Sequence, residues 1–222
     1  MQYAYGARGE VFVYMAQTVA SLAELCTASG IDVDNIVKPI KPMLPGVAKQ
    51  LMTSLGPEGV VPHNDVWYRS MHGVIQWMEH IVRLDVSFPV RVLGAALGRN
   101  TPAHDEAMMR LISWVLTHPT DGLVYGGDKA ARDKGFLAWM DASFADGHKA
   151  RSTQGSIFKF SGSVVSWSSK QQSCVAQDTM ESEYISASTY IGPCWAGSTC
   201  STTWVLSKVP FPVTRITLQT LV

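Results

Sequence analysis

The sequence has few cysteines. There are four in 222 residues, at 26, 174, 194 and 200, and no two of them form a C-x-x-C pair. That excludes a zinc ribbon or a thioredoxin-type redox site. It fits free, mostly buried thiols in a reducing compartment. Charge is sparse as well: only 16% of residues are Asp, Glu, Lys or Arg, and the net charge is zero. No dense Lys and Arg patch occurs, so strong non-specific nucleic-acid binding is not expected. No apolar run approaches the ~20 residues that span a bilayer. The N-terminus shows no basic segment followed by an apolar core, so no signal peptide is expected. Glycine-rich phosphate loops and the G-x-S-x-G nucleophile turn are missing, and so are repeats. The six histidines are scattered. His72 and His80 lie on one helix without a carboxylate to complete a zinc set. These absences describe a protein expected inside the cell, cytoplasmic or nuclear, not secreted and without a membrane partner.

What is present is apolar surface. Hydrophobic residues make up 46% of the chain, enough to build a core and to make wholesale disorder unlikely on composition. At this length the chain forms one large domain or two small ones. Residues 1–128 hold three more acids than bases, and residues 129–222 three more bases than acids. A weakly basic second half fits a nucleic-acid partner, although ordinary variation gives the same numbers.

Periodicity divides the chain. Val11, Val13 and Met15 alternate as in a short strand. Val19, Leu22, Ala23 and Cys26 then follow helical spacing. Residues 38–62, with five prolines and three glycines, read as a linker without an element of its own. A helix is predicted from Trp67 to Val82, burying Val74, Trp77, Met78 and Ile81. Another starts at Pro102 with Thr101 as N-cap. It buries Ala107, Met108, Leu111, Trp114 and Val115 and ends at His118. The polar segment from Gly126 to Asp133 marks a boundary. Beyond it the period changes to two, with strands at 136–141, 155–161 and 163–169. A helix over 179–191 puts Met180, Tyr184, Ala187 and Ile191 on one side and is broken by Gly192-Pro193. A second helical piece is predicted over 202–208, and a fourth strand starts near Val213.

The chemistry-bearing residues lie in this second half. Asp141 sits at a strand end and Glu183 in the first turns of a helix. Paired carboxylates on rigid elements are how proteins hold Mg²⁺ for phosphodiester chemistry. Taken singly, Asp141 is an ordinary strand-end turn former and Glu183 an ordinary helix-start acid.

The order of motifs gives the pair its meaning. Asp141 is followed by Arg151-Ser152-Thr153-Gln154-Gly155. Next comes Val165-Ser166-Trp167-Ser168-Ser169-Lys170-Gln171-Gln172-Ser173, and then Met180-Glu181-Ser182-Glu183-Tyr184-Ile185. This series resembles the ribonuclease H domain of copia-type retrotransposon Pol polyproteins. Upstream, Tyr68-Arg69-Ser70-Met71-His72-Gly73-Val74-Ile75, Gly122-Leu123-Val124-Tyr125-Gly126 and Lys38-Pro39 with Pro42 resemble the region joining the reverse transcriptase to that domain. The resemblance covers about residues 10–218 and places the polymerase palm before residue 1.

The resemblance implies an α+β or α/β architecture. A mostly helical reverse-transcriptase connection segment, 1–128, precedes an incomplete ribonuclease H-like domain, 129–222, built as an antiparallel three-stranded meander plus a helix. It implies metal-dependent hydrolysis of RNA in RNA–DNA hybrids, with Mg²⁺ or Mn²⁺ held by Asp141 and Glu183. Glu181 is the alternative ligand. Arg151, Ser152 and Lys170 become substrate contacts, with Gly155 supplying an unusual φ to the turn. The partners would be an RNA–DNA hybrid or another nucleic acid, and the rest of the Pol polyprotein. The family's third carboxylate has no counterpart here, because no Asp follows residue 178. Weak or absent nuclease activity is therefore expected. A non-catalytic transposon remnant and an unrelated interaction protein are the competing readings.

Overall fold

In the computed structural model, residues 1–62, 64–126, 135–195 and 202–206 are described. The chain divides into two compact units. One comprises Met1–Ala4 and Phe12–Leu123, the other Tyr5–Val11 and Val124–Val222. Among the described residues no helix is long and apolar enough to cross a membrane.

The first unit is mostly helical. Strands β1 (Gln2–Tyr5), β2 (Val11–Tyr14) and β3 (Leu123–Tyr125) form a sheet in the order β1-β2-β3. Gly122, just before β3, cannot carry a side chain, because a Cβ there would overlap the Val13 carbonyl. Helices α1 (Ala16–Ala28), α2 (Val47–Thr53), α3 (Asp65–Ile81), α4 (Ser87–Gly94) and α5 (Pro102–Thr117) follow. Their core includes Leu22, Ile75, Met78, Leu93, Met108 and Leu111, each fully buried.

Buried polar groups lock these helices together. The Tyr68 hydroxyl donates to the Leu93 carbonyl at 2.8 Å, tying α3 to α4. Burial, with the charge of Asp105 behind it, raises the pKa of that phenol. His72 Nε2 donates to the Val90 carbonyl at 3.0 Å. His104 Nδ1 accepts the Thr101 N–H at 3.2 Å, so its proton is on Nε2, which donates to Leu51 O at 3.1 Å. One imidazole thus caps α5 and holds α2. Arg83, 1% exposed, forms a fork onto Asp85 at 2.9 and 2.8 Å and donates to His118 O at 2.9 Å. The Trp114 indole N–H reaches the same carboxylate at 2.8 Å. Burial alone would raise the pKa of Asp85, but the Arg83 and Trp114 contacts outweigh it and hold the carboxyl below its ordinary value.

Several sequence expectations are corrected here. Residues 38–62 are not a featureless linker: they contain α2, whose Leu51 and Met52 are buried. In α3 the buried positions are Tyr68, Met71, His72, Ile75, Met78 and Glu79, and Trp77 is 59% exposed. The apolar stripe is rotated because polar His72 and Glu79 are paired inside. His72 bonds Val90 O, and Glu79 accepts from Ser87 Oγ. In α5, Ile112 is buried, while Trp114 lies at the margin, stacked on His118 at 4.0 Å. Helix α4 went unforeseen. Of the cysteines, Cys26 is buried but Cys174 is exposed, both as free thiols.

The second unit is a sheet with one helix against it. Strands β4 (Phe136–Ser143), β5 (Thr153–Phe160) and β6 (Ser163–Gln171) form an antiparallel meander. Strand β7 (Thr202–Leu206) returns to pair parallel with β4, giving the order β6-β5-β4-β7. A bulge at Phe158/Lys159 shifts the β5–β6 register. Helix α6 (Thr179–Trp195) connects β6 to β7 and packs on β4. Ala138, Met140, Phe158 and Tyr190 form the core between them.

Three expectations fail in this unit. Residues 202–206 are strand, not helix, in keeping with the β-branched and aromatic Thr202-Thr203-Trp204-Val205. Helix α6 runs through Gly192-Pro193 to Trp195, although the proline withholds a donor from the Thr189 carbonyl. Its buried face is Ser182, Ser186 and Tyr190, and Met180 and Tyr184 are 64% and 69% exposed. Small hydroxyl residues allow close approach to the sheet, so the apolar pair faces outward. The proposed strand near Val213 lies outside the described residues.

Candidate functional site

Strand β4 carries Asp141, one residue past the last described register pair with β7. Its described parallel pairing with β7 runs to Met140↔Leu206, while its pairing with β5 continues through Asp141↔Gly155 to Ser143↔Thr153. Helix α6 supplies the group that meets this strand. The Glu183 carboxylate accepts a hydrogen bond from the Ala142 backbone N–H. One turn later Ser186 Oγ donates to the Asp141 carbonyl at 3.3 Å.

The negative charge of Asp141 acts on Glu183. Glu183 has its pKa raised, first by burial and next by the negative charge of Asp141, while the Ala142 N–H pulls the other way. A carboxylate pair held together against its own repulsion is a feature of sites that take a cation. The donors are hard oxygens, which suits Mg²⁺ or Mn²⁺. Among the described residues there is no group of three or more His, Cys, Asp or Glu side chains able to hold a metal. Among the described residues no third His, Cys, Asp or Glu joins the pair.

Glu181 is engaged elsewhere. Asp178 Oδ1 accepts the Glu181 N–H at 2.7 Å, and Glu181 Oε2 accepts the Gln177 N–H at 2.6 Å. This reciprocal pairing starts α6 and resembles a capping box. The stretch Asp178-Thr179-Met180-Glu181 carries that signal in the sequence. Tyr184, which follows Glu183, is exposed and does not anchor the helix in the core.

The remaining predicted site residues are dispersed. Arg151 and Lys170 are exposed, and the Lys170 ammonium lies over the Tyr190 ring at 5.2 Å. Ser152 is fully buried, and its Oγ accepts the Ala145 N–H at 3.1 Å. Its hydroxyl holds the β4–β5 loop. Asp146 does the same, taking the Thr153 N–H at 2.8 Å and the Thr153 hydroxyl at 2.7 Å. Gly155 lies in β5 without a positive φ, and a Cβ there would make only ordinary contact. The left-handed positions of this loop are Ala145, Lys149 and Ala150 instead.

No known protein-family model matches the chain, and no solved structure matches it. Among curated proteins it is similar to the secreted RxLR effector protein 161 of Plasmopara viticola. Identity is 34% over 125 residues, covering 56% of this chain and 86% of the effector. It is 33% identical over 121 residues to the retrovirus-related Pol polyprotein from transposon TNT 1-94 of Nicotiana tabacum, covering 54% of this chain and 9% of that protein. Identity to the Pol polyprotein from transposon RE1 of Arabidopsis thaliana is 30% over 118 residues, covering 53% of this chain and 8% of that protein. The match thus spans most of the effector and under a tenth of each of these polyproteins.

Proposed function

Because this chain belongs to one family with the Plasmopara viticola effector and is transposon-derived, with retrotransposon Pol polyproteins among its homologues, we propose that its second unit is a ribonuclease H-like module. Its reaction would be metal-dependent hydrolysis of the RNA strand of an RNA–DNA hybrid, in the cytoplasm or nucleus. The observation that carries this reading is the seating of α6 on β4 through Ser186 and the Asp141 carbonyl, which sets Glu183 within reach of the charge of Asp141. The strand order β6-β5-β4-β7, with only the β4–β7 pair parallel, also supports it. Asp141 and Glu183 would hold Mg²⁺ or Mn²⁺, which supplies water activation and charge neutralisation at the scissile phosphate. Glu183 stays aligned through the Ala142 N–H, and α6 stays seated through Ser186 on Asp141 O. Exposed Arg151 and Lys170 would supply the phosphate contacts.

With two carboxylates, turnover should be weak. Mg²⁺ needs near-octahedral order, and a two-ion clamp on the attacking and leaving oxygens needs more ligands than this pair provides. The test is cleavage of a labelled RNA–DNA hybrid with Mg²⁺ or Mn²⁺, beside Asp141→Asn and Glu183→Gln. Slow cleavage abolished by either substitution is expected. Cleavage that survives both would remove the proposed site.

A second reading, a non-catalytic transposon-derived protein, is favoured by one observation. The relative covered over most of its length bears the name of an effector and not of a polyprotein. No cleavage by wild type or variants, with the fold intact, would select it.

A further inference from the structure

Beneath α6 the second unit buries more polar atoms than it pairs. On β5, Ser152, Gln154 and Ser156 alternate onto the helix-facing side and are 0%, 3% and 4% exposed. Opposite them on α6, Ser182 and Ser186 are both fully buried. Gln172, 1% exposed, joins the two layers: its N–H donates to Ser152 O at 2.8 Å and its Nε2 to Ser182 O at 2.7 Å. Within this seam four side-chain oxygens have no protein partner: Gln154 Oε1, Ser156 Oγ, Gln172 Oε1 and Ser182 Oγ. Buried polar atoms left unsatisfied are costly and rare, so four in one seam call for an occupant.

The inventory defines that occupant. Two of the atoms are amide carbonyl oxygens that only accept, and two are hydroxyls that both donate and accept. A water molecule offers two donors and two acceptors and bonds typically about three partners when buried. A single water cannot serve all four. Gln172 is fixed at Ser152, and Ser156 lies four residues along the strand, about 13 Å at strand rise. Two hydrogen bonds through one water cover less than half of that.

We propose that this seam is an internal hydration site, holding at least two ordered waters on Gln154, Ser156, Gln172 and Ser182. The proposal does not require that Asp141 and Glu183 bind a metal or cleave anything.

The test uses the full chain and counts long-lived internal waters by oxygen-17 relaxation dispersion, in wild type, Ser156→Ala and Gln154→Met. Each variant should lose at least one long-lived water while keeping the wild-type circular dichroism. Equal counts in all three proteins would overturn the proposal. Should Gln154→Met not fold, Ser156→Ala removes one hydroxyl only and decides the count alone. Crystals soaked in thallium(I) provide a second arm. An anomalous peak on the seam oxygens would replace water by a monovalent cation and overturn the assignment, and its absence beside ordered waters supports it.

Discussion

At the scale of single residues, two charged groups show opposite outcomes of burial. Arg83 is taken fully out of water but receives a two-pronged carboxylate and a carbonyl. Replacing it by Met leaves Asp85 without its counter-charge and the His118 carbonyl without a donor. Asp85 keeps about a third of its exposure, so a loss near the low end of the range for broken buried pairs, about 3 kcal/mol, is expected in urea unfolding. Glu183 has the reverse situation: burial first, and then the charge of Asp141, raise its pKa. A carboxyl that holds its proton more tightly when folded gives stability that is complete below the ordinary value of 4.5. That stability is lost as pH rises through the folded pKa. Glu183→Gln keeps an acceptor for Ala142 N–H and removes the repulsion. It should raise the melting temperature at pH 7, by under about 1 kcal/mol equivalent because the site is partly solvated. The gain should vanish below pH 4.5. A gain that persists in acid would show that repulsion is not its source.

Among elements, α2 and α6 show what pattern reading can and cannot reach. The strands of the meander, α1, α3 and α5 were legible because each repeats its apolar residues at period 2 or 3.6 over enough length. Helix α2 was hidden among prolines, and its anchor is tertiary, His104 on the Leu51 carbonyl. The burial face of α6 was misread because Ser182 and Ser186 turn inward and Met180 and Tyr184 outward, which hydrophobicity alone reverses. The motif order singled out Asp141 and Glu183, but the Ser186 contact on the Asp141 carbonyl is tertiary and leaves no periodic mark in the sequence. Helix α6 should depend on its start: Asp178→Ala should cost about 1 kcal/mol, read as a lower thermal midpoint. The helical unit should respond to acid. His72 and His104 have pKa values lowered chiefly by burial from the ordinary 6.5. Their neutral forms contribute stability that is present above 6.5 and lost as pH falls through the folded values. Urea midpoints measured from pH 7.5 to 5 should therefore fall, and less steeply in His104→Gln. Identical slopes would show that His104 is not a source of the acid response.

Over the whole molecule, a net charge of zero limits how nucleic acid can be held. An interface with few cations releases few counterions. For the proposed ribonuclease H-like module, affinity for an RNA–DNA hybrid should therefore fall with salt along a log–log slope shallower than about −3. Fluorescence anisotropy across a potassium chloride series measures this, and a slope near −8 would reveal a basic surface that the composition does not suggest. The β4–β7 pairing carries a further consequence, for synthesis. The meander joins neighbours in sequence, whereas β7 must come back from residue 202 to residue 136. Contacts that close so long a loop form late. During translation the meander can assemble while β7 is still inside the ribosome, leaving the Phe136–Met140 edge open for that interval. An open strand edge invites pairing with another nascent chain. The hazard facing this protein is therefore one of timing, greatest on crowded polysomes and relieved by slowing initiation rather than by strengthening the native state.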